Sequence, residues 1–385
     1  MPKYNFNESA YSRFWESREA GTLFTKFIND PEIIAQRQYF WKKNFEVDPL
    51  FSTRNSDGTA LFRTAARKRS VNNMLDMRAP LGETQARDKQ GMDFYTGPIP
   101  DFAAKGFVET AVEREARTKM FEAYFGNDAQ ILMAFADDVQ DMVDEANFTM
   151  SNMGAQLLSS GKIIYNFGTG IKGNLFKCPI PEENFVKGGA VAWADPSCKL
   201  LDQMEKIETD FRERTGYQGA LKWQIAKDVF NNVVLKNAQV VEYIKSFRYV
   251  NNLPNVDGWN VNDAMFNEAM GLNPKISPIE IVEEAQKDGG TVVHGWASNV
   301  AILRPVGMAG LIKRADILDK TMDKKYGSSV ISTVWSQLDI FSLVNTTLNN
   351  GRFKEWHTDL MVAAIPTLDE FHEHVIVDIS KSDSE

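Results

Sequence analysis

The sequence has few cysteines and no long hydrophobic run. Cys178 and Cys198 are its two cysteines, and no metal-binding spacing surrounds either of them. Because two cysteines cannot build a disulfide framework, we interpret both as inert thiols in a reducing compartment. No run of about 18 apolar residues occurs, and residues 1–21 lack the apolar core of a signal peptide. We therefore expect a protein that is neither secreted by that route nor membrane-spanning.

Positive charge is also in short supply. The chain has 43 Lys and Arg against 52 Asp and Glu, which gives a formal net charge of -9. Because phosphate binding depends on clustered Lys and Arg, this balance disfavours a protein whose main role is to coat nucleic acid. The apolar fraction of 43% and charged fraction of 25% are ordinary for a soluble globular protein. A length of 385 residues is enough for two packed cores.

A long amphipathic helix is predicted at residues 128–161. Its apolar residues recur every three or four positions, so they stack on one side of the helix. Gly161 and Lys162 supply the end signal, because glycine turns left-handed easily and a cation suits a helix C-terminus. At about 1.5 Å per residue, roughly thirty residues span about 45 Å, so we interpret the helix as a spine. The stripe consists of Leu132, Phe135, Val139, Met142, Ala146, Met150, Met153 and Leu157.

Residues 1–60 are predicted to form an arm. They are rich in aromatic side chains but are interrupted by turn signals such as Asn29-Asp30-Pro31 and Asp48-Pro49. Such a segment cannot enclose its own aromatics, which must lie on its own subunit or on a neighbour. The aromatic residues are Phe14, Trp15, Phe24, Phe27, Tyr39, Phe40, Trp41, Phe45 and Phe51.

Residues 61–112 are polar and rich in turn signals, so we expect a long extended loop. An excursion of this length with so little to bury is usually functional or disordered. Residues 92–96 and 107–112 are predicted to be the two limbs of an extended hairpin, which would be stable only on a partner. The basic cluster Arg63, Arg67, Lys68 and Arg69 suits a polyanion or an acidic neighbour. The negative net charge favours contacts between subunits over nucleic acid.

The remainder of the chain alternates strands and helices, which predicts an α+β or α/β second domain. Strands are expected at residues 163–167, 174–180, 190–193, 220–225, 291–293, 300–303 and 311–312. Helices are expected at residues 111–125, 229–237, 240–247 and 279–287, and Asp228 is the expected cap of the helix at 229–237. A further helix is expected to open at Ala194-Asp195-Pro196-Ser197 and to close at Thr215-Gly216. Residues 359–365 and 372–379 are predicted to pair as strands around Pro366-Thr367-Leu368-Asp369. Residues 330–347 fit either strands or a mixed segment.

Acidic residues on the predicted spine lie mostly off its apolar stripe. Such a face can hold a hard cation or supply paired carboxylates. No histidine lies nearby in sequence, and an acidic helix stripe is usually a solvated face, which is our interpretation here. These residues are Asp137, Asp138, Asp141, Asp144 and Glu145.

His372-Glu373-His374 is a more suggestive pattern. Residues i and i+2 of a strand point the same way, and two imidazoles can chelate zinc. A third ligand would have to be His294 or His357, so we favour the polar face of an edge strand. Residues 168–173 superficially resemble a phosphate loop but lack the Gly-Lys-Ser/Thr ending, which indicates a hairpin turn. We therefore assign no catalytic, cofactor-binding or metal-binding residue.

The order of these parts resembles the major capsid protein of tailed bacteriophages, which has the Hong Kong 97-type fold. Within that fold, the order and spacing of its elements most resemble those of the lambda-type major capsid protein family. The likeness covers roughly residue 60 to the end and lies in the order and spacing of elements. The residues that carry it are the spine ending at 155–163, Ala194-Asp195-Pro196, residues 221–240 with Trp223 and Asn237, Ala364-Ile365-Pro366, Asp369-Glu370-Phe371 and Val375-Ile376-Val377.

The resemblance implies an α+β, Hong Kong 97-like capsid fold and no catalytic site. It implies an N-terminal arm (1–60), an extended loop (61–112), a peripheral domain (113–190) with spine helix 128–161, an axial domain (191–355) and closing C-terminal strands (356–385). Copies of the chain would form the pentamers and hexamers of an icosahedral shell around double-stranded DNA, which they would contact weakly and non-specifically. Portal, scaffold and decoration proteins are the implied partners. The implied location is the virion, after synthesis in the host cytoplasm.

Two other classes of function stay open at this point. A soluble metal-dependent enzyme using His372 and His374 would be a small oligomer with stoichiometric zinc. A cellular nanocompartment shell of the same fold would form particles without a portal or DNA, and a tail or decoration protein is a further assembly role. Light scattering separates the enzyme from the shells, because shells have megadalton mass.

Overall fold

Helices and strands alternate in the computed structural model, which confirms the predicted α+β class. The structure describes residues 39–67, 92–104, 107–110, 112–113, 115–116, 119, 128–166, 172–195, 197–253, 261–272, 274–288, 291–317, 331–338, 340–349 and 354–382. Among these residues, none of the helices is both long and apolar enough to cross a bilayer.

The helices are α1 (Phe40–Asn44), α2 (Asp128–Ser160), α3 (Leu200–Thr215), α4 (Ala238–Val250) and α5 (Asp263–Leu272). The strands are β1 (Phe45–Ser52), β2 (Ala60–Arg67), β3 (Met92–Ile99), β4 (Asp101–Ala103), β5 (Phe107–Thr110), β6 (Lys162–Asn166), β7 (Lys172–Lys177), β8 (Phe185–Lys187), β9 (Leu221–Ala226), β10 (Ile279–Val282), β11 (Gln286–Asp288), β12 (Thr291–Val293), β13 (Val300–Pro305), β14 (Gly310–Ala315), β15 (Ile331–Leu338), β16 (Phe341–Asn349), β17 (Lys354–Leu368) and β18 (Val375–Asp378).

The chain divides into two compact units, each drawn from three separate stretches. Unit 1 contains Met1–Phe62, Gly97–Ser151 and Leu311–Pro366. Unit 2 contains Arg63–Thr96, Asn152–Gly310 and Thr367–Glu385. The predicted domains were contiguous stretches, and their boundaries stay predictions.

Unit 1 is built around a sheet in the order β1-β14-β17-β16-β15. Strands β4 and β5 also pair with β17, which is therefore the centre of the sheet. The β16 and β17 ladder is antiparallel and runs from Phe341 opposite Val362 to Asn349 opposite Lys354. The sequence of residues 330–347 fitted either strands or a mixed segment, and this pairing shows that their described part consists mainly of strands.

Helix α2 confirms the predicted spine. Its buried residues Met142, Ala146, Met150, Met153 and Leu157 keep the three-to-four spacing that the sequence shows. The helix ends where predicted, because Gly161 adopts a left-handed φ of 68° and its N–H donates to the Leu157 carbonyl at 2.9 Å. Glycine adopts that conformation without the steric cost that a side chain imposes.

The first described residues pack on the spine helix. Trp41 is 2% exposed, and its indole N–H donates to Asn147 Oδ1 at 2.9 Å. The Tyr39 hydroxyl donates to the Asp144 carboxylate, and the Trp41 backbone N–H approaches Ser151 Oγ at 3.5 Å. This part of the predicted arm therefore lies on its own chain, and residues 1–38 lie outside the described part.

Unit 2 contains a mixed sheet in the order β10-β9-β13-β18-β8. Strand β9 runs parallel to β10 and antiparallel to β13, and β18 is antiparallel to β13. One face of β9 contributes Leu221, Trp223 and Ile225 to a core that also includes residues of α3, α4 and α5. Helix α3 begins at Leu200, later than the predicted opening at residues 194–197, and ends as predicted at Gly216, whose φ is 66°.

Two predictions about pairing and element type are wrong. Residues 279–287 form strands β10 and β11 instead of a helix, because Ile279 and Ile281 take their places beside Trp223 and Ile225 in the sheet. The predicted pair of residues 359–365 with 372–379 does not exist. Strand β17 pairs with β16, and β18 lies between β13 and β8.

Two smaller predictions also differ from the structure. Residues 190–193 form bends instead of a strand, with the Trp193 indole N–H donating to the Gly188 carbonyl at 2.8 Å. The predicted helix at 229–237 is a short helical turn, Lys227–Val229, followed by a π-helical turn, Phe230–Val234. Its cap was also misplaced, because Ala226 occupies the N-cap position predicted for Asp228. Most of the predicted helix at 111–125 lies outside the described residues.

Candidate functional site

The extended hairpin is formed by different strands from those predicted. Strands β2 and β3 form a two-stranded sheet, whereas β5 pairs with the first half of β17, from Thr110 opposite Glu355 to Phe107 opposite Thr358. The predicted limb at 107–112 therefore belongs to the large sheet of unit 1. The segment between β2 and β3, residues 68–91, lies outside the described part of the chain.

Tyr95 of β3 makes its contacts within unit 2 and anchors this strand of the hairpin. Its hydroxyl donates to the Leu368 carbonyl at 2.6 Å. Its ring stacks on Phe176 at 5.8 Å between centroids and meets Phe371 edge-on at 5.4 Å. Burial raises the pKa of the Tyr95 hydroxyl, and the nearby Cys178 and Asp369 raise it further. The phenol therefore stays neutral and serves as a hydrogen-bonding anchor.

The same hairpin presents apolar side chains to solvent. Leu61 on β2 is 51% exposed and Phe94 on β3 is 64% exposed. An isolated two-stranded hairpin is marginal in water without an apolar face that is covered. Each of these two side chains is therefore apolar surface that the described part of the chain leaves open.

The basic cluster begins on this hairpin. Arg63 is exposed on β2, and Arg67 is the last residue of that strand. Lys68 and Arg69 lie outside the described residues, as does the Arg67 side chain. The predicted contact of this cluster with a neighbouring subunit stays a prediction.

Arg54 joins three segments of unit 1, a role that sequence reasoning missed. Its guanidinium donates to the Gly58 carbonyl at 2.9 Å and also to the Asp316 carbonyl and the Asp101 carboxylate. Its side chain is almost completely buried. Because its partners lie far apart in sequence, no local pattern indicates this contact.

A buried polar network crosses the sheet of unit 2. Arg304 Nε donates to Gln224 Oε1 at 3.0 Å, and its Nη1 donates to the Gly307 carbonyl at 2.9 Å. The Gln224 amide and the Lys222 ammonium both donate to Glu280, at 3.2 and 2.6 Å. Burial lowers the pKa of Arg304 to about 10. Every member has a partner, so the network holds neighbouring strands in register.

The histidine pair is not arranged as a chelating strand pair. Phe371–Glu373 is a 3-10 turn instead of a strand. His374 Nε2 lies 2.7 Å from the Leu158 carbonyl, which can only accept, so this nitrogen carries the hydrogen. Burial lowers the pKa of His374 to about 4. His372 Nε2 lies 3.0 Å from the exposed Asp93 carboxylate.

Within the described residues, the proposed third ligands form no metal-binding group with this pair. His294 Nδ1 lies 2.7 Å from the Glu284 carbonyl, and His357 belongs to β17 of the other unit. Within the described residues, no group of three or more His, Cys, Asp or Glu side chains is placed to hold a metal ion.

The other predicted sites have structural surroundings. Asp141 and Glu145 are exposed on α2, whereas the side chains of Asp137 and Asp138 lie outside the described part. Cys178 and Cys198 are buried free thiols, and burial raises their pKa values to about 12 and about 11. The Gly-rich segment at 168–171 also lies outside the described residues, and the strands on either side of it pair with each other.

Comparisons with known proteins give structural similarity without sequence relatives. No family model matches the chain, and no curated protein matches it. One similar structure is a putative capsid protein of a prophage of E. coli CFT073. It has 14% identity, covers 93% of this chain and 98% of that chain, and gives a TM-score of 0.49. A phage-related protein from Bordetella bronchiseptica has 12% identity, coverage of 93% and 96%, and a TM-score of 0.48. The capsid of Myoviridae phage XM1 has 10% identity, coverage of 89% and 91%, and a TM-score of 0.41.

Proposed function

We propose that this chain is the major capsid protein of a tailed bacteriophage, a structural protein without catalytic activity. Copies of it assemble into the pentamers and hexamers of an icosahedral shell around double-stranded DNA. The observation that carries the proposal is the β2 and β3 hairpin, which is anchored through Tyr95 and exposes Leu61 and Phe94. A large shell supplies the missing cover, because neighbouring copies bury surface that one subunit leaves open.

Other features support an assembly role over a binding pocket. Arg54 and the Arg304 network hold distant segments within their respective units, and their polar groups are directed to their own chain. His374, the residue on which an enzyme reading depends, is bound to the Leu158 carbonyl and is buried. These contacts favour a rigid structural subunit over a metal-dependent enzyme.

The finer assignments follow from this role. We assign the arm, extended loop, peripheral domain, axial domain and closing strands to the ranges predicted from sequence, except that β4 and β5 belong to the large sheet of unit 1 instead of the extended loop. A portal, a scaffold and decoration proteins are the expected partners, and DNA is contacted weakly and non-specifically. The chain is synthesised in the host cytoplasm and ends in the virion.

Particle formation by the purified chain tests the proposal. We expect negative-stain microscopy and light scattering to find shells of megadalton mass, with a scaffold co-expressed where the chain alone does not assemble. A small zinc-containing oligomer would support the enzyme instead. Particles that never enclose DNA when portal and packaging proteins are present would indicate a nanocompartment.

The hairpin itself is tested by Phe94→Ser combined with Leu61→Ser. Both side chains are exposed, so we expect the free subunit to keep its thermal stability while particle yield falls at least tenfold. Phe94→Leu combined with Leu61→Met is the matched control, because it keeps apolar surface and should still assemble. Normal particle yield from the serine variant would contradict the assignment of this hairpin to subunit contacts.

A further inference from the structure

Lys162 and Lys177 of the β6 and β7 hairpin carry positive charge that no ion pair within the described part of the chain uses. Residues 146–181 contain no Asp or Glu, although the chain has 52 acidic residues in total. The charged residues in this stretch are Lys162, Lys172 and Lys177. The end of the spine helix and the hairpin after it therefore form a stretch of this acidic protein whose charge is entirely positive.

The strand register brings two of these lysines together. Lys162 lies directly opposite Lys177 in the antiparallel ladder, and Lys172 is opposite Asn166 at the other end of the hairpin. Residues at directly opposite positions have Cβ atoms about 4.5 to 5.5 Å apart, and like charges there are destabilising. The pair therefore has an energetic cost within the free subunit.

The surroundings do not neutralise this charge. Lys177 is exposed and Lys162 is partly exposed, and within the described residues neither ammonium has a carboxylate within 4.0 Å. The C-terminus of α2, two residues before Lys162, attracts one positive charge through the helix dipole. The helix dipole does not offset the second positive charge of the lysine pair. Glu183, which follows the hairpin in sequence, pairs with Arg214 at 3.3 Å.

We propose that Lys162 and Lys177 form a contact site for the phosphate groups of nucleic acid. This inference rests on the proposed function, because DNA is the polyanion that such a shell encloses. Two adjacent ammonium groups bind phosphate as point charges without reading sequence. The exposed side chain of Ile164, two residues along β6, gives the site an apolar flank. Two phosphate contacts on a chain of net charge -9 give weak binding, which restrains DNA without immobilising it.

Salt-dependent DNA binding tests the site. Fluorescence anisotropy with a short labelled duplex and the full-length chain gives the slope of log K against log salt concentration. Each phosphate contact contributes about 0.9 to the magnitude of this slope. Lys162→Gln combined with Lys177→Gln should therefore lower the slope by about 2, and each single variant by about 1.

The matched control is Lys199→Gln combined with Lys206→Gln. It removes the same net charge from two exposed positions at and beside α3 and should leave the slope unchanged. Absence of wild-type binding at low salt, or an unchanged slope in the hairpin variant, would overturn the proposal. An unchanged slope with altered particle mass would instead assign the lysines to contacts between copies. Salt-dependent binding lost in the hairpin variant of a chain that never forms shells would retain the site and refute the shell function.

Discussion

Strands β9 and β3 are covered in opposite ways. Strand β9 lies between β10 and β13, with Trp223 in the apolar core on one face and Gln224 bonded to Arg304 on the other. Strand β3 pairs with β2, buries Tyr95 and leaves Phe94 exposed. Strand β9 is covered on both faces by its own chain, whereas β3 is anchored by its own chain and keeps an exposed apolar side chain. Under the proposed function, substitutions should therefore change subunit stability at β9 and assembly at β3.

The largest effect is expected at Trp223. Trp223→Ala removes a fully buried side chain and should lower the free energy of unfolding by about 3 to 5 kcal/mol. Chemical denaturation monitored by circular dichroism measures it. Tyr249→Ala is the control, since Tyr249 is 82% exposed and its loss should cost less than about 0.5 kcal/mol. Equal losses of unfolding free energy in Trp223→Ala and Tyr249→Ala would show that the buried residue on β9 contributes no more to stability than an exposed side chain.

A slightly smaller effect, dependent on pH, is expected at His374. Burial lowers the pKa of His374 from 6.5 to about 4, so the folded state binds fewer protons than the unfolded state between these values. Neutral His374 therefore makes its full contribution to the free energy of unfolding above pH about 6.5. This contribution, roughly 3 kcal/mol, is lost as the pH falls to about 4. Unfolding measured across this range should show a shallower pH dependence in His374→Gln. A wild-type slope in His374→Gln would assign the pH dependence to another group.

The next effect concerns the close contact at Gly295. A Cβ at this position would lie 2.6 Å from the Asn152 carbonyl oxygen of α2. Gly295→Ala should therefore destabilise unit 2 by about 1 to 3 kcal/mol, as overpacking usually does. In Gly271→Ala, the added Cβ meets no atom within 4 Å, and alanine in a helix should stabilise by up to about 1 kcal/mol. Thermal unfolding of the two variants should shift in opposite directions, and a neutral Gly295→Ala would show that α2 moves readily.

The smallest effect is expected at Tyr95, which anchors β3 of the hairpin. Tyr95→Phe keeps the ring contacts but removes the hydrogen bond to the Leu368 carbonyl, which should cost about 1 kcal/mol. Hydrogen exchange should become faster in β2 and β3 and stay unchanged in β9. Tyr249→Phe, at an exposed position, should leave both regions as in the wild type. Faster exchange in β9 would show that the anchor also supports the closed sheet.

Local patterns predicted the elements whose stability is local. The spacing of Met142, Met150 and Met153 indicated the spine, and Gly161 marked its end because only glycine turns there without strain. Helix α3, with its apolar face and Gly216, followed from the same rules. In these cases the residues that decide the structure lie within one or two helical turns of each other.

The errors occurred where distant segments decide the structure. Residues 279–287 have a spacing that fits a helix, but Ile279 and Ile281 are held by pairing with β9 more than fifty positions earlier in the sequence. The signals for the Tyr95 anchor are even more remote, because its carbonyl partner Leu368 lies 273 positions later in the sequence. Sequence indicated that a hairpin would emerge near residue 92 but not which strand would pair with it. The sequence therefore predicted that the candidate site is a hairpin, but only the structure shows which residues this hairpin contacts.

The position of β17 has a consequence for the order in which the chain folds. This strand accepts pairing from β4, β5, β14 and β16, whose residues begin at Asp101. During synthesis the early strands must wait, with their backbone edges unpaired, until residues near the C-terminus leave the ribosome. Closing such long loops is slow and exposes edges to unwanted pairing. A chain terminated before Lys354 would thus lack the strand around which unit 1 closes, and it should accumulate as aggregates instead of partly formed subunits.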